Sequence, residues 1–344
     1  MSYPFKNLVF EGGGAKGIAY IGAMQVLEKE KIIDQISRVG GTSSGSINAV
    51  LLAAGYSNTE MLKILKTLDF SDFKDDSWGV LCDMKRLKNK YGWYKGDYFS
   101  DWIGQLLKDK TGSANITFKA LAEHSRKELF VYASNLSTTF GEVYSPEHTP
   151  RMRVVDAVRR SMSIPLFFQA VRDDREDVFA DGGVINNYPV KIFDRKKYLG
   201  NKSLERVPSY YEEENKKLMT ILPKSSPYIY NKETLGFRLD SVQDIGVFRD
   251  GQTPKRAEIE HFLDYTMQLV KTLLSVQDSQ HLHSDDWQRT VYINTFGVGT
   301  TDFNLTDKVK EMLVKSGKDS TKNYLKWWSD VSNDLAVNHP NSTD

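Results

Sequence analysis

The segment RVGGTSSGSINAV places Gly41-Thr42-Ser43-Ser44-Gly45, a GxSxG pattern, between a short apolar run and a series of small residues. A serine at a strand-to-helix turn of this kind stands at a helix N-terminus. Backbone N–H groups and the helix dipole favour developing negative charge there. So sharp a turn admits only small residues on either side of the serine, which Gly41 and Gly45 supply. Ser43 is the candidate nucleophile, and Ser44 and Ser46 stand out of register. The competing reading is a serine-rich loop that only caps a helix.

A hydroxyl needs a base before it attacks anything. The chain has six histidines, His124, His148, His261, His281, His283 and His339, and none lies in a motif that marks a catalytic base. His281-Leu282-His283 is read as an exposed polar loop, because no cluster of metal-binding side chains accompanies it. An aspartate offers another route. In VFADGGVINNYPV, Asp181 ends a short apolar run and precedes Gly182 and Gly183. That places it at a strand end, on the sheet edge where the serine turn also opens. Its alternative reading is a plain turn, since Asp-Gly is a common turn dipeptide.

The third stretch is EGGGAKG. Gly12, Gly14 and Gly17 spell GxGxxG between a strand and a helix. A dinucleotide site also needs an acid about 20 positions on, at the end of the second strand. The nearest acids, Glu28 and Glu30, fall inside the helix pattern instead. A Walker loop fits less well, because Lys16 precedes the last glycine rather than following it. Bare backbone at a strand end serves either a bound phosphate or the oxyanion of an ester under attack.

Taken in order, the three motifs resemble those of the patatin-like phospholipases, the bacterial-type acyl hydrolases in particular. The resemblance implies that Gly12, Gly13 and Gly14 form an oxyanion hole, with Lys16 and Gly17 completing that motif. Ser43, flanked by Gly41 and Gly45, is then the nucleophile, and Asp181, followed by Gly182 and Gly183, the base. RRSMSIPLFFQAV, from Arg159 with Pro165 near its centre, is similar to the family's segment ahead of the aspartate strand. YINTFGVGTTDFNLTDK bears a weaker likeness to the last strand and helix of bacterial members. The implied fold is α/β, a three-layer sandwich whose mostly parallel central sheet is flanked by helices. The implied activity is a serine acyl hydrolase of phospholipase A or lysophospholipase type. It cleaves fatty-acyl esters of phospholipids with a Ser–Asp dyad, no histidine, no cofactor and no metal. A neutral-lipid or general carboxylesterase on the same fold, and a dinucleotide-binding protein, are the alternatives. The expected partners are a lipid ester and, transiently, a membrane surface; a protein activator is left open.

Composition sets the wider frame. The 344 residues carry 46 basic and 45 acidic side chains, a net charge of +1. No bulk field draws such a chain to nucleic acid. Its one cysteine, Cys82, excludes an intramolecular disulfide and a cysteine-based zinc site. The N-terminus MSYPFKNLVF lacks a signal-peptide pattern, and no run reaches the roughly 18 apolar residues of a spanning helix. The expectation is a soluble protein, cytoplasmic or peripheral at membranes, with export lacking a signal peptide left open.

The elements must then position the motifs. Strands are expected at Phe5–Phe10, Ile36–Val39, Leu129–Ser134, Gly141–Tyr144 and Asp177–Ala180, with later ones at Leu218–Leu222 and Thr290–Thr295. Helices are expected at Ile18–Lys31, Ser46–Ala54, Glu60–Leu68 (capped by Asn58 or Thr59), Val154–Ser161, Glu258–Val276, Val309–Leu313 and Tyr324–Leu335. Residues 1–200 read as the catalytic core and 201–344 as an extension packing on the same domain. The stretch 69–101 mixes aromatics with lysines and reads either as a lid or as a packed excursion. One of Trp327 and Trp328 is expected to face the core.

Overall fold

The computed structural model describes residues 3–241 apart from 69, 74–86 and 88, residues 285–330 apart from 301 and 303, and isolated positions between. Strand β1 (Asn7–Phe10) feeds the glycine loop and α1 (Ala19–Lys29). Then β2 (Arg38–Thr42) leads into α2 (Ser44–Ala53) and α3 (Asn58–Thr67). A short β3 (Gly92–Tyr94) precedes α4 (Asp97–Thr111) and α5 (Phe118–Ser125). The hairpin β4 (Glu128–Asn135) and β5 (Phe140–Tyr144) is followed by α6 (Val154–Ser161), β6 (Leu166–Phe168), β7 (Val171–Arg172) and β8 (Val178–Asp181). One-turn α7 (Gly183–Asn186) and α8 (Ser209–Ile221) come before β9 (Thr234–Asp240), β10 (Thr290–Asn294) and α9 (Asp307–Ser329).

The main sheet runs β10-β9-β1-β2-β4-β8-β7, with β5 also on β4, and β3 pairs with β6 apart from it. Strands β10, β9, β1, β2 and β4 are mutually parallel, while β5 and β8 run antiparallel to β4, and β7 antiparallel to β8. This is the expected α/β architecture with a mostly parallel sheet. Alternation along β1 assigns its faces. Leu8 and Phe10 join the large apolar cluster that also holds Ile47, Val50 and Leu51 of α2. Val9 joins a smaller cluster on the opposite face with Phe130, Tyr188, Val190, Phe193 and Tyr198.

Residues beyond 200 complete this sheet. Asn7 to Phe10 pair in register with Thr234 to Phe237, so β9 covers an edge of β1. Helix α9 lies against α1 at backbone distance. A Cβ on Gly22 would stand 1.8 Å from the Val314 carbonyl, and one on Gly317 would stand 2.0 Å from the Ala19 carbonyl.

Several expectations need correction. Leu218–Leu222 is no strand, because residues through Ile221 belong to α8. Glu, Lys, Leu and Met are all good helix formers, and the run EEENKKLM outweighs its short apolar end. The strand of this region is β9, fully buried along its length. Its Arg238 and Asp240 mask it in the sequence, but they pair with each other at 2.8 Å. The two expected C-terminal helices form one, α9. Helix α3 is capped by Ser57, whose Oγ accepts from the Glu60 amide, while Asn58 Nδ2 reaches the Met24 carbonyl instead. Glu258–Val276 and the end of Tyr324–Leu335 lie largely outside the described residues. Within 69–101, Phe73 is buried and packs edge-on to Phe99 and Trp102. Trp78 lies outside the described residues. Trp327 and Trp328 are both partly buried against the core.

The close helix contact has a direct test. Gly317→Val drives a branched side chain into the α1 backbone, where overpacking costs about 3 kcal/mol. A urea titration is expected to show that loss for Gly317→Val and a much smaller one for Ser316→Ala.

Candidate active site

Strand β2 delivers the chain to Ser43, which stands at φ 52° and ψ −130°. That conformation is sparsely populated for a residue with a Cβ, and such strain persists only where the surroundings hold it. Here they do. The Ser43 N–H donates to Ser161 Oγ at 2.9 Å, and Ser161 Oγ donates to the Tyr132 carbonyl at 2.6 Å. The Ser43 carbonyl accepts from the Ser46 amide at 2.9 Å and from Ser46 Oγ at 2.6 Å. The steric reading of the flanking glycines holds. A Cβ on Gly41 would lie 2.5 Å from the Gly45 carbonyl group, and one on Gly45 would lie 2.4 Å from the Phe10 carbonyl oxygen.

Asp181 arrives from the opposite direction. Ala133 of β4 pairs antiparallel with Asp181, and Tyr132 pairs in parallel with Thr42, so β4 separates the two strand ends. Over β4 the side chains meet: Ser43 Oγ donates to Asp181 Oδ2 at 2.5 Å. The other carboxylate oxygen accepts from the Gly183 amide at 2.8 Å. The Asp181 N–H donates to the Ser163 carbonyl at 2.8 Å and the Gly182 N–H to the Ser161 carbonyl at 3.3 Å. Met162 completes the wall, its sulfur 3.5 Å from Ser43 Oγ. Burial pushes the Asp181 carboxyl up to about 7, held from going higher by the Ser43 hydroxyl and the Gly183 amide that donate to it.

The glycine loop lies against this pair. The Gly12 N–H donates to the Asn187 carbonyl at 3.0 Å, and the Gly13 N–H to Ser44 Oγ at 2.9 Å. The Gly14 and Ser44 amides donate to no acceptor among the described residues. Lys16 Nζ reaches the Leu239 carbonyl at 3.4 Å. Gly17 packs beside Ser44 at the start of α2. Glu28 and Glu30, weighed as ribose ligands, are exposed at the far end of α1. An eleven-residue helix puts them roughly 16 Å from the loop. Of the histidines, His124 and His148 are described. His148 Nδ1 is 2.8 Å from Ser145 Oγ, and neither histidine bonds to Ser43 or Asp181.

The structure therefore brings Gly12–Gly14, Ser43 and Asp181 to one place. It adds Ser44, Ser161, Met162, Ser163 and Asn187, none of which sequence reasoning assigned a role. RRSMS drew attention only by likeness. Its serines act through short backbone contacts that no spacing rule encodes.

The buried carboxyl makes a prediction about stability. A folded-state value near 7, above the unfolded range, means the native protein holds this proton more tightly than the unfolded chain does. The favourable contribution is complete below about pH 4 and is lost as pH rises through 7, a swing of about 4 kcal/mol. Asp181→Asn is thus expected to melt higher than wild type at pH 8 in calorimetry, with the gap closing steadily towards pH 4.

Comparison with known proteins agrees with this geometry. The patatin-like phospholipase family profile matches residues 8–194, which include all three motifs. The uncharacterized protein YqhO of Bacillus subtilis is 27% identical over 336 residues, 93% of this chain and 98% of its own. The probable lipid hydrolase 463L of Invertebrate iridescent virus 6 is 29% identical over 188 residues, 55% of this chain and 63% of its own. VipD from Legionella pneumophila superposes with a TM-score of 0.61 at 18% identity, covering 94% of this chain and 67% of that one, a likeness of fold. With more than half of its length inside the matched profile, the chain belongs to the patatin-like phospholipase family, hydrolases of lipid ester bonds.

Proposed function

We propose that the chain releases fatty acids from phospholipids by a Ser–Asp dyad, of phospholipase A or lysophospholipase type. The observation that carries this reading is the 2.5 Å bond from Ser43 Oγ to Asp181 Oδ2. Asp181 takes the serine proton as Oγ attacks the ester carbonyl, and a base near pH 7 suits that transfer. The negative oxygen of the tetrahedral intermediate is received by the glycine loop. The Gly12 amide is committed to the Asn187 main-chain carbonyl; the Gly14 amide is open for that role, and the Gly13 amide joins it by turning from the Ser44 hydroxyl that now accepts it. Protonated Asp181 then gives its proton to the departing alcohol, leaving an acyl-serine. Water attacks that ester, passes its proton to the same carboxylate, and the fatty acid leaves.

A cavity of about 400 Å³ beside the base supports a lipid substrate. It is lined by Leu136, Pro165, Leu166, Phe168, Val178 and Phe179, among others, and its wall includes Ala180 and Ser163, the neighbours of Asp181 in chain and in hydrogen bonding. Such a volume and lining are those of sites for apolar ligands. Leu166 stands on its wall at φ +67°, a conformation costly for a bulky side chain. Leu136, Phe140 and Phe296 are exposed just past the carboxyl ends of β4 and β10, the edge on which ligands of parallel sheets are bound. They are suited to brief contact with a bilayer. No helix among the described residues is long and apolar enough to cross one.

Labelling with a fluorophosphonate probe is expected for wild type and absent for Ser43→Ala. Fatty acid is expected from phospholipid vesicles, with kcat/KM falling tenfold per pH unit below about 7, where the base is protonated. Release from a triglyceride emulsion alone would replace the phospholipase reading with a neutral-lipid one. Filling the cavity by Ala170→Trp is expected to depress turnover of palmitoyl esters at least tenfold while sparing butyryl esters, about the 1–3 kcal/mol that a pocket discriminates.

A further inference from the structure

We infer that Asn187, six residues past the base, is a positioning residue that aims the oxyanion donor. The inference rests on the roles proposed above for Ser43, Asp181 and the glycine loop. Asn187 grips Gly12 from both sides. Its carbonyl accepts the Gly12 N–H at 3.0 Å, and its Nδ2 donates to the Gly12 carbonyl at 3.1 Å. The Gly12 carbonyl and the Gly13 N–H belong to one planar trans peptide and so point in opposite directions. Holding the carbonyl on Asn187 turns the Gly13 N–H towards the elbow, where Ser44 Oγ now receives it at 2.9 Å.

That peptide lies between two glycines. With no Cβ on either side, little in the backbone itself opposes its rotation as a unit. Rotated, it would present a carbonyl where a negatively charged oxygen has to be received. The Asn187 side chain opposes that rotation, and its surroundings hold it in turn. Nδ2 is also 3.4 Å from Glu11 Oε1, and Glu11 Oε2 accepts the Leu239 amide at 2.6 Å. Arg238 Nε is 3.6 Å from Glu11 Oε1. The fit is close from the other side as well, since a Cβ on Gly12 would stand 2.4 Å from Asn187 Oδ1 and 2.9 Å from Ser43 Cβ.

Asn187→Ala and Asn187→Asp both keep the main-chain carbonyl that accepts from Gly12 and remove the Nδ2 donor. Asp also keeps the side-chain shape, so it is the variant to read if Ala does not fold. Each is expected to lower kcat on phospholipid vesicles about 100-fold, the scale of one lost oxyanion donor, with KM nearly unchanged. Affinity for a lipid trifluoromethyl ketone, which becomes an oxyanion on Ser43, is expected to fall by the same factor. Affinity for an ether-linked lipid, which has no carbonyl to attack, is expected to stay at the wild-type value. Equal weakening of both analogues, as a merely structural role would give, overturns the assignment, and so does wild-type kcat in either variant. Ser43→Ala measured alongside separates the two levels. If it is dead while the Asn187 variants turn over normally, only this inference fails; if it is active, the proposed function fails first.

Discussion

The bond between Ser43 and Asp181 is the constraint to which the rest of the core answers. A carboxylate 4% exposed is expensive to keep ionised, and a serine in a sparsely populated backbone region is expensive to keep in place. Each is held by the other and by backbone groups from elsewhere. The sheet supplies the approach, with β2 parallel and β8 antiparallel to the strand between them. The segment Ser161–Ser163 supplies the fastening, because it bonds to the elbow, to β4 and to the Asp181 turn at once. A parallel β8 would have carried the aspartate to the sheet by a crossover from the same side as the serine. The antiparallel run lets the chain come down to Asp181 from the edge at the carboxyl ends of the parallel strands.

Much of this was legible in the sequence where chemistry dictates residue type. Gly41 and Gly45 could be read as steric necessities, and the atoms they would otherwise strike are main-chain atoms that cannot yield. The alternation of strand and helix through the first 200 residues likewise follows from apolar periodicity. What stayed hidden depends on pairing between distant segments. Strand β9 looks polar because Arg238 and Asp240 satisfy each other inside the protein. The direction of β8 is not written in four residues. Asn187 reads as a turn residue until the fold sets it beside Gly12. The glycine loop was ambiguous by itself, since its bare backbone suits any anion, and only the neighbours that claim its amides set its use.

The same distinction applies to the profile match, which ends at residue 194. Asp194 is buried there between Arg289, at 2.8 Å, and the hydroxyl of Tyr211, at 2.7 Å. The matched profile thus stops at a residue that is paired from further along the chain. Beyond it the sheet goes on through β9 and β10, and α9 packs against α1.

The placement of β1 between β2 and β9 has a consequence for how the enzyme is born. Glu11 is held by the Leu239 amide, a partner 228 positions later. During synthesis the glycine loop leaves the ribosome early, and Ser43 and Asp181 follow. The strand that steadies the loop does not yet exist. At translation speeds of about 5–20 residues per second, the stretch from Asp181 to Leu239 takes on the order of 3 to 12 seconds. A nascent chain therefore carries Ser43 and Asp181 before it carries the strand that holds Glu11 beside the glycine loop. A lipid hydrolase with this strand order stays structurally incomplete until most of its length has been translated.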